Sequence, residues 1–375
     1  MYLTQISLAN FRSHKSLTLS FDSGITCLLG NNGEGKTNVV EGLYFLANQE
    51  SHRVASNQPL INKDAAVAKV SGNFNINDTN LQLEIELNQG KGNNFWLNKN
   101  PVKAKEALGV VQVVIFAPED LEILRGDPSN RRYFLDQTAT MLNPRVAGIR
   151  SDYERVLKQR NSLLKSASML SGKAQQTAIS TLDVWNERLI QLAAELILVR
   201  LNLLTNLMPF VNDYYQQIAP NNNFDFSYQP SWTELKLEQD ITWIKTQVEQ
   251  ALAAAATEEI KRGVTLVGPH RDEVLFSLNQ LPIKGYASHG ETWSAALSLK
   301  LGVLHLLQSS INSTSTPILV LDDVFAELDD RRREQLMQIA LGVEQTIITA
   351  AAEVDLPSNL AAKIYRFSGG EVSNG

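Results

Sequence analysis

The sequence has a single cysteine, few histidines and no long apolar run. Cys27 cannot form an intrachain disulfide, which indicates a reducing compartment. The five histidines, at positions 14, 52, 270, 289 and 305, are too scattered to predict a zinc site. No run approaches about 18 apolar residues, and the N-terminal stretch lacks the apolar region of a signal peptide. These absences predict a cytoplasmic protein with no membrane partner.

The chain also lacks an excess of basic residues. Its 375 residues carry a net charge of −6, and 43% of them are hydrophobic and 20% charged. This composition is typical of a folded globular chain, and the length suggests about two or three structural units. An acidic chain does not bind nucleic acid over its whole surface, so any contact with DNA has to come from a local basic face.

Hydrophobic periodicity divides the chain into three parts. Residues 1–118 alternate as strands, with the buried run GITCLL and a meander over residues 70–97. Residues 119–261 have helical periodicity, and this insert of about 140 residues is large enough for a domain of its own. Strands are predicted again over residues 262–375, including GVTLVG at 263–268 and PILVLDD. The prediction is an α/β head, 1–118 and 262–375, interrupted by an all-helical domain, 119–261.

A phosphate-binding loop follows the first buried strand. The stretch GNNGEGKT satisfies the pattern GxxxxGK[ST]. It comprises Gly30, Asn31, Asn32, Gly33, Glu34, Gly35, Lys36 and Thr37, with Asn38 directly after it. The glycines allow backbone N–H groups to face a phosphate, and the following helix N-terminus favours an anion. We expect Lys36 to reach the β- and γ-phosphates of ATP and the Thr37 hydroxyl to ligate Mg²⁺.

An acidic pair ends a second buried strand, in PILVLDDVFAELDD. We expect Asp322 to hold Mg²⁺ through water and Asp323 to orient or deprotonate an attacking water. The alternative is a strand followed by an acidic turn in which Asp329 caps the next helix, and Asp329 can do both. Together with the P-loop, this pair predicts nucleotide hydrolysis, with Lys36 and Asp323 as the catalytic candidates.

The stretch ASHGETW precedes a long helical pattern. Ser288 and Glu291 have the spacing of a capping box. The order P-loop, Ser288-His289-Gly290-Glu291, acidic strand and AELD resembles that of ABC-type ATPases. The resemblance implies an ATP-dependent homodimer in which Ser288, Gly290 and Glu291 cover the nucleotide held by the partner subunit, with Asp329 beside them.

A basic face is predicted in the helical insert. Between residues 143 and 175 there are seven Lys or Arg and two Asp or Glu, a local charge of +5. We interpret Arg150, Arg155, Lys158 and Lys165, opposite an apolar stripe, as contacts to DNA phosphates. An ordinary solvated helix face is an equal alternative. Arg160 projects from the apolar stripe itself, which a solvated face does not need.

The motifs together resemble the RecF family of the SMC-like branch of ABC ATPases. Further support comes from NFRSH near the start, SHR at 51–53, FAPEDLEILRGDPSNRRYFLD at 116–136, YERVLKQRNSLLK in the insert and GVTLVGPHRDEV at 263–274. The resemblance implies an ABC-type (SMC/RecF-like) P-loop ATPase head with an inserted all-helical arm. Arg53 is implied to approach nucleotide or DNA, and a surface salt bridge is equally open.

The same resemblance implies a function in recombinational repair. It implies binding to double-stranded DNA and to single-strand/double-strand junctions at gaps, and help in loading RecA together with RecO and RecR. Hydrolysis of ATP with Mg²⁺ would be weak, DNA-stimulated and used as a switch. An SMC-like structural clamp on DNA and the ATPase subunit of a membrane transporter share the nucleotide motifs and are the alternative functions.

Two positions depart from the family pattern. The family signature usually reads Ser-x-Gly-Gln-Gln-Arg, whereas here Glu291, Thr292 and Trp293 follow the glycine. The switch histidine usual after the last core strand is missing, and the stretch TIITAAAE has Thr349 instead. The sequence does not assign roles to His270 and Arg271, for which a rigid structural turn is an even alternative.

Overall fold

A computed structural model of the chain describes residues 1–220, 222–232, 240–310, 316–356 and 360–374. The strands are β1 (Tyr2–Phe11), β2 (His14–Ser20), β3 (Gly24–Leu29), β4 (Val67–Ile76), β5 (Thr79–Asn88), β6 (Asn94–Leu97), β7 (Asn100–Val102), β8 (Val113–Phe116), β9 (Phe224–Gln229), β10 (Glu273–Leu278), β11 (Leu281–Pro282), β12 (Ile318–Asp322), β13 (Gln345–Ala350), β14 (Lys363–Ser368) and β15 (Glu371–Asn374). The helices are α1 (Lys36–Asn48), α2 (Ala104–Ala107), α3 (Leu121–Arg125), α4 (Pro128–Leu142), α5 (Arg145–Ser168), α6 (Gly172–Ser180), α7 (Leu182–Ile218), α8 (Ile241–Arg262), α9 (Ile283–Tyr286), α10 (His289–Ser309) and α11 (Asp330–Leu341).

These elements form two compact units. The head comprises Met1–Leu121, Asp213–Asn221 and Ser288–Gly375, and the arm comprises Glu122–Asn212 and Asn222–Ala287. The head contains an antiparallel sheet in the order β2-β1-β4-β5-β6-β7 and a second sheet in the order β15-β14-β3-β13-β12-β8. In the second sheet every pairing except β14 with β15 is parallel. The carboxyl ends of β3 and β12 therefore reach the same edge, where a ligand site is expected in an open α/β sheet.

Helix α1 is buried along almost its whole length. Eleven of its 13 residues are buried, among them Val39, Val40 and Leu43. A helix without a polar face has to be covered on all sides, and α1 packs against β1 and β4 of the antiparallel sheet and against β8, β12 and β13 of the parallel one. A Cβ on Gly42 would stand 2.8 Å from Leu8 Cδ2. Because glycine has no Cβ, the helix can approach β1 closely at this position. The helix that begins the nucleotide site is thus fixed in the core of the head.

Buried ion pairs connect the elements of the arm. Arg200 is 2% exposed, and its guanidinium donates to both carboxylate oxygens of Asp136 at 2.8 and 2.9 Å. Arg131 donates in the same bidentate way to Glu273 at 2.6 and 2.7 Å. Removing one partner of a buried pair such as Arg200–Asp136 leaves an uncompensated buried charge and typically costs about 3–5 kcal/mol, whereas Glu273 of the second pair is partly exposed. These pairs therefore tie α4 to α7 and to β10.

The stretch GPHRDEV at 268–274 has a structural role in the arm. Asp272 is fully buried, and it accepts hydrogen bonds from the Tyr228 hydroxyl at 2.5 Å and from the Ser231 N–H at 2.9 Å. His270 Nδ1 lies 2.6 Å from the Tyr153 hydroxyl, and its Nε2 lies 3.3 Å from the Thr265 carbonyl oxygen. The turn that contains His270 is therefore held by side chains from α5 and β9.

The arm departs from the expected all-helical domain. β9 pairs with β10 and β10 with β11, so the arm contains a three-stranded antiparallel sheet. The expected division at residue 261 also differs from the two units, because β10 pairs with β9 and residues 262–287 consequently group with the arm. The strand expected at 263–268 is not formed, since the Thr265 N–H donates to Asn161 Oδ1 and the Leu266 N–H to Glu259 Oε1, not to a neighbouring strand.

One apolar stretch of the described chain is long enough to cross a bilayer. It lies within Gly172–Ile218 and includes an 18-residue window of mean hydropathy 1.4. Half of that window is buried inside the protein. Leu189, Leu192 and Leu201 lie within this stretch and are buried. The core helix of a globular protein has the same length and composition, so the stretch is weak evidence for a membrane span.

Candidate nucleotide site

The P-loop joins β3 to α1 through three glycines with positive φ angles. These are 152° at Gly30, 89° at Gly33 and 97° at Gly35. A Cβ on Gly30 would stand 2.4 Å from the Phe367 carbonyl oxygen, and one on Gly35 would stand 2.6 Å from the His14 ring. Glycine alone adopts these angles without strain and leaves this space. The glycines predicted from the pattern are therefore required by both backbone conformation and packing.

The Lys36 side chain lies back along the loop. Its Nζ donates to the Gly30 carbonyl at 2.7 Å and to the Asn31 carbonyl at 3.2 Å. Asn38 Nδ2 donates to Ser13 Oγ at 2.8 Å, which joins the start of α1 to the β1–β2 turn. The rest of the loop is exposed at Asn31, Asn32 and Gly33 and half-buried at Glu34. A cationic amine surrounded by loop carbonyls is thus held where a bound polyphosphate would meet it.

The acidic pair lies next to Thr37. Asp322 is 3% exposed, and its Oδ1 accepts from the Thr37 hydroxyl at 3.3 Å across 285 residues of sequence. The Thr349 hydroxyl donates to the same oxygen at 2.6 Å. Asp323 has a φ angle of 51°, in the left-handed region that few residues other than glycine adopt. The structure therefore brings together the P-loop and the acidic strand that the sequence pairs only by motif order.

The oxygen atoms of Thr37 and Asp322 fit a magnesium ion. Burial, with smaller contributions from the neighbouring carboxylates of Asp323 and Glu119, raises the pKa of the Asp322 carboxyl to about 6, although the hydrogen bonds from Thr349 and Thr37 lower it in part. A divalent cation would stabilise the charged form of such a group. Over the described residues no cluster of three or more His, Cys, Asp or Glu forms a metal cage. Two oxygen ligands suit Mg²⁺, which is commonly shared with substrate phosphates.

Ser288 caps α10, as its spacing to Glu291 predicts. The Ser288 side chain accepts from the Glu291 N–H at 3.3 Å, and Glu291 Oε2 accepts from the Ser288 N–H at 2.8 Å. The Ser288 hydroxyl also donates to Glu291 Oε2 at 2.7 Å. Asp329 caps α11 in a similar way, since its Oδ1 accepts from the Arg332 N–H at 2.9 Å. The capping predictions for both residues are confirmed.

The departure from the family signature has a structural counterpart. Trp293 stands where the family usually has arginine, and it is 2% exposed. Its ring meets Phe116 edge-on, with centroids 5.3 Å apart, and its Nε1 donates to His289 Nε2 at 2.9 Å. His289 Nε2 also lies 3.6 Å from the Glu327 carboxylate. In this chain position 293 thus belongs to the core of the head.

The sequence analysis missed residues of the β1–β2 turn. Arg12 donates to both oxygens of Glu41, at 2.6 and 2.7 Å. Burial alone would raise the pKa of Glu41, but the bonds from Arg12 and Ser51 more than offset it, and the pKa is lowered. A cavity of about 760 Å³ opens beside this pair, lined in part by Arg12, Ser13, Asn38 and Lys63. The motif NFRSH indicates family membership, but no local sequence pattern predicts that the turn it forms lies beside the P-loop.

The basic candidates of the arm differ in their partners. Arg155 forms an ion pair with Asp152, and Arg150 lies 3.8 Å from Glu154. Lys158 and Lys165 are exposed, and neither has a carboxylate within ion-pair distance in the part of the chain that the structure describes. Lysines without such partners are the stronger candidates for phosphate contacts.

Two other arginines have structural partners. Arg160 is 3% exposed, and its guanidinium donates to Glu259 at 2.6 Å, to Thr265 at 2.8 Å and to Asn186 at 2.8 Å. Its position in the apolar stripe is explained by this buried network, not by an exposed phosphate contact. Arg53, in the head, lies 3.4 Å from Glu119, and both side chains are partly exposed. The salt-bridge alternative for Arg53 is thus present.

Comparisons with known proteins agree with this fold. Residues 2–366 match the family described as RecF/RecN/SMC N terminal domain. The chain is similar to the DNA replication and repair protein RecF of Streptomyces avermitilis, with 46% identity over 99% of each chain. It is similar to the protein of the same name from Renibacterium salmoninarum, with 43% identity over 98% of each chain.

Solved structures support the same assignment. A structure of the recombination mediator protein RecF with ATP, from the RecFOR pathway, matches with a TM-score of 0.88 at 28% identity, covering 100% of this chain and 99% of that one. An Smc head domain from Pyrococcus furiosus matches with a TM-score of 0.55 at 15% identity and shows the fold alone, covering 100% of this chain and 96% of that one. The expected SMC/RecF-like ABC ATPase head fold is confirmed. The chain belongs to the RecF family of DNA replication and repair proteins.

Proposed function

We propose that this protein is an ATP-dependent DNA-binding protein of recombinational repair and replication restart. The observation that carries the proposal is the hydrogen bond between Thr37 and Asp322, which joins the P-loop to the acidic strand. An aligned P-loop and acidic strand is the arrangement that nucleotide-hydrolysing proteins of this type need. The structure of a RecF protein with ATP, at 28% identity, supports ATP as the nucleotide.

Within one subunit, the proposed roles follow from the positions of the side chains. The loop N–H groups and Lys36 bind the β- and γ-phosphates, while Thr37 and Asp322 hold Mg²⁺, which supplies charge neutralisation when bound. Asp323 orients or deprotonates the attacking water. The cavity beside Arg12 and Asn38 is the proposed location of the nucleoside, since it opens directly next to the start of α1.

A second subunit completes the proposed site. The N-terminus of α10 carries partial positive charge and is capped by Ser288, so it suits a γ-phosphate held by the P-loop of the other subunit. Gly290 and Glu291 are in the first turn of α10, and we expect them, together with Asp329, to lie at the contact with the partner subunit. ATP would therefore drive homodimerisation, and slow hydrolysis would reset it, so that the nucleotide acts as a switch.

DNA and protein partners complete the proposal. Duplex DNA and single-strand/double-strand junctions at gaps are the proposed nucleic-acid ligands, with Lys158 and Lys165 as the main phosphate contacts of the arm. Arg150, Arg155 and Arg53 are weaker candidates because each has a carboxylate nearby. The RecFOR pathway named for the similar RecF structure supports RecR, with RecO, as protein partner. The family resemblance implies RecA as the protein that is loaded and the cytoplasm as the location, and both belong to this proposal.

Size-exclusion chromatography tests this proposal. The protein is run with ATP, with ADP and without nucleotide, each with and without a gapped duplex. We expect a dimer only with ATP, and co-elution with the gapped duplex that is strongest for this dimer. Lys36→Ala, which removes the cation at the phosphates, should stay monomeric with ATP. A monomer under all conditions, or equal DNA binding in all three nucleotide states, would contradict the proposal.

A further inference from the structure

The Thr349 hydroxyl bonds to both members of the acidic pair. Thr349 is fully buried on β13 and is paired in register with Asp322 of β12. Its hydroxyl donates to Asp322 Oδ1 at 2.6 Å, and its oxygen accepts from the Asp323 N–H at 2.9 Å. A hydroxyl has one proton and two lone pairs. The proton is engaged by Asp322 and one lone pair by Asp323, so a single side chain fixes two neighbouring residues.

Each of the two hydrogen bonds of Thr349 fixes a different part of the acidic pair. Asp323 lies just beyond the end of β12, and its φ of 51° is a conformation that costs a residue other than glycine about 1–3 kcal/mol. Such a conformation persists only where the surroundings fix it, and the bond from its N–H to Thr349 does so. Asp322 has Oδ1 engaged by Thr349 and Thr37, which sets the plane of the carboxylate.

We propose that Thr349 is the positioning residue of the acidic pair, holding Asp322 toward the Thr37 hydroxyl and Asp323 in its left-handed conformation. The inference rests on the proposed nucleotide site and adds a residue to it. Thr349 contacts neither the phosphates nor the water directly in this assignment, and it acts through the Asp322 carboxylate and the Asp323 backbone. Valine keeps the β-branched shape of threonine but has no hydroxyl, so it removes both hydrogen bonds while it retains most of the packing.

Three variants separate positioning from packing. Thr349→Val loses the hydroxyl, and Thr349→Ser keeps it while losing a methyl group. Thr346→Val is the matched control, because Thr346 is also buried on β13 and its hydroxyl donates to the Ala340 carbonyl oxygen at 3.0 Å, away from the acidic pair. All three are compared with wild type for thermal stability before any binding measurement.

The primary readout is the affinity of the ATP complex for Mn²⁺, measured by electron paramagnetic resonance, with ATP affinity in EDTA as reference. We expect Thr349→Val to weaken Mn²⁺ binding and to lower kcat, each by about tenfold or more, as losing a group that orients a metal ligand typically does. ATP affinity in EDTA should stay unchanged. Thr349→Ser should restore most of both values, and Thr346→Val should change neither.

The outcomes separate this inference from the proposed function. If wild type binds no ATP, the proposed function is wrong, and the inference fails with it. If wild type binds and hydrolyses ATP and Thr349→Val has the same Mn²⁺ affinity and kcat, only the positioning role is wrong. A loss in Thr349→Ser as large as that in Thr349→Val would also overturn it, because the methyl group and not the hydroxyl would then be responsible.

Discussion

The guanidinium of Arg332 lies against Gly290, and a Cβ built on that glycine would stand 3.2 Å from Arg332 Nη1. Arg332 is held there by Asp329, whose Oδ2 accepts from Nη1 at 3.1 Å. A cation at the positive end of a helix is unfavourable by itself, so the Asp329 carboxylate offsets the charge of Arg332 beside α10. Helix α11 and the N-terminus of α10 are thereby in contact through Arg332 and Gly290.

We expect Gly290→Ala and Arg332→Ala to be energetically coupled. With Arg332 present, an alanine Cβ at 290 displaces the guanidinium, which cancels the gain in helix propensity of about 1 kcal/mol. With Arg332 truncated, the same change should stabilise the protein. Urea unfolding of the four proteins in a double-mutant cycle measures the coupling, which should exceed about 0.5 kcal/mol. Additive effects would show that the side chain moves away at no cost.

Lys158 and Lys165 of α5, which have no carboxylate within ion-pair distance among the described residues, should dominate DNA binding by the arm. Lys158→Gln with Lys165→Gln should weaken duplex binding and reduce the log–log salt slope by about 1.8, as expected for two lost phosphate contacts. Lys91→Gln with Lys105→Gln, two exposed lysines of the head, is the control with the same charge change. Fluorescence anisotropy from low to moderate salt gives both slopes. A double variant whose slope overlays wild type would make this face ordinary solvated surface.

The local parts of the site were predictable from the sequence, and the long-range ones were not. The P-loop and the Ser288 capping box each depend on residues within a few positions, so a pattern specifies them. The pairing of Arg160 with Glu259 spans 99 residues, and no periodicity encodes it. An arginine in an apolar stripe shows only that it needs a partner or a function, and here the partner is a buried carboxylate.

The sheet of the arm was missed for a similar reason. β9 and β10 are short, alternating runs separated by α8, so their antiparallel pairing joins segments that are distant in the sequence. GVTLVG has the composition of a strand, but Gly263 ends α8 with a φ of 68° and the next N–H groups bond to side chains. Tertiary hydrogen bonds thus override the strand propensity of this segment.

Acidification should destabilise the protein through His270. Burial, together with the nearby charges of Arg271, Arg132 and Arg200, lowers the pKa of His270 to about 4, although the hydrogen bond to the Thr265 carbonyl opposes this shift. The unfolded histidine has a pKa of about 6.5. Between these values the unfolded state binds a proton that the folded state does not, so the free energy of unfolding falls as pH falls, by up to about 3 kcal/mol at pH 4.

Comparison with His270→Gln isolates this contribution. The variant loses the bonds to Tyr153 and Thr265 and should be less stable than wild type at pH 7. The difference between the free energies of unfolding of wild type and the variant should become smaller as pH falls below about 6.5, since only wild type has this histidine to protonate on unfolding. His305→Gln, at an exposed position, is the control. Urea unfolding at several pH values gives this difference in the free energy of unfolding. A difference that does not change with pH would contradict a lowered pKa of His270 in the folded protein.

Mixing two inactive variants tests whether Ser288 acts across the dimer. Asp323→Asn removes the proposed base, and Ser288→Gly removes the hydroxyl while costing the cap of α10 only about a few tenths of a kcal/mol. Each variant alone should bind ATP and hydrolyse it far more slowly than wild type. In a mixed dimer, one site combines the intact Asp323 of the Ser288→Gly chain with the intact Ser288 of the Asp323→Asn chain. The opposite site has both defects.

Random pairing of equal amounts puts half of the chains in mixed dimers, and each mixed dimer has one intact site out of two. The mixture should therefore recover about a quarter of wild-type hydrolysis if the two sites act independently. If Ser288 served the P-loop of its own chain, every site in the mixture would contain one defect. The mixture would then be no more active than the two variants assayed separately, and α10 would be capped by Ser288 without contributing to the site of the partner. Varying the mixing ratio provides the control, because trans complementation peaks at equal amounts.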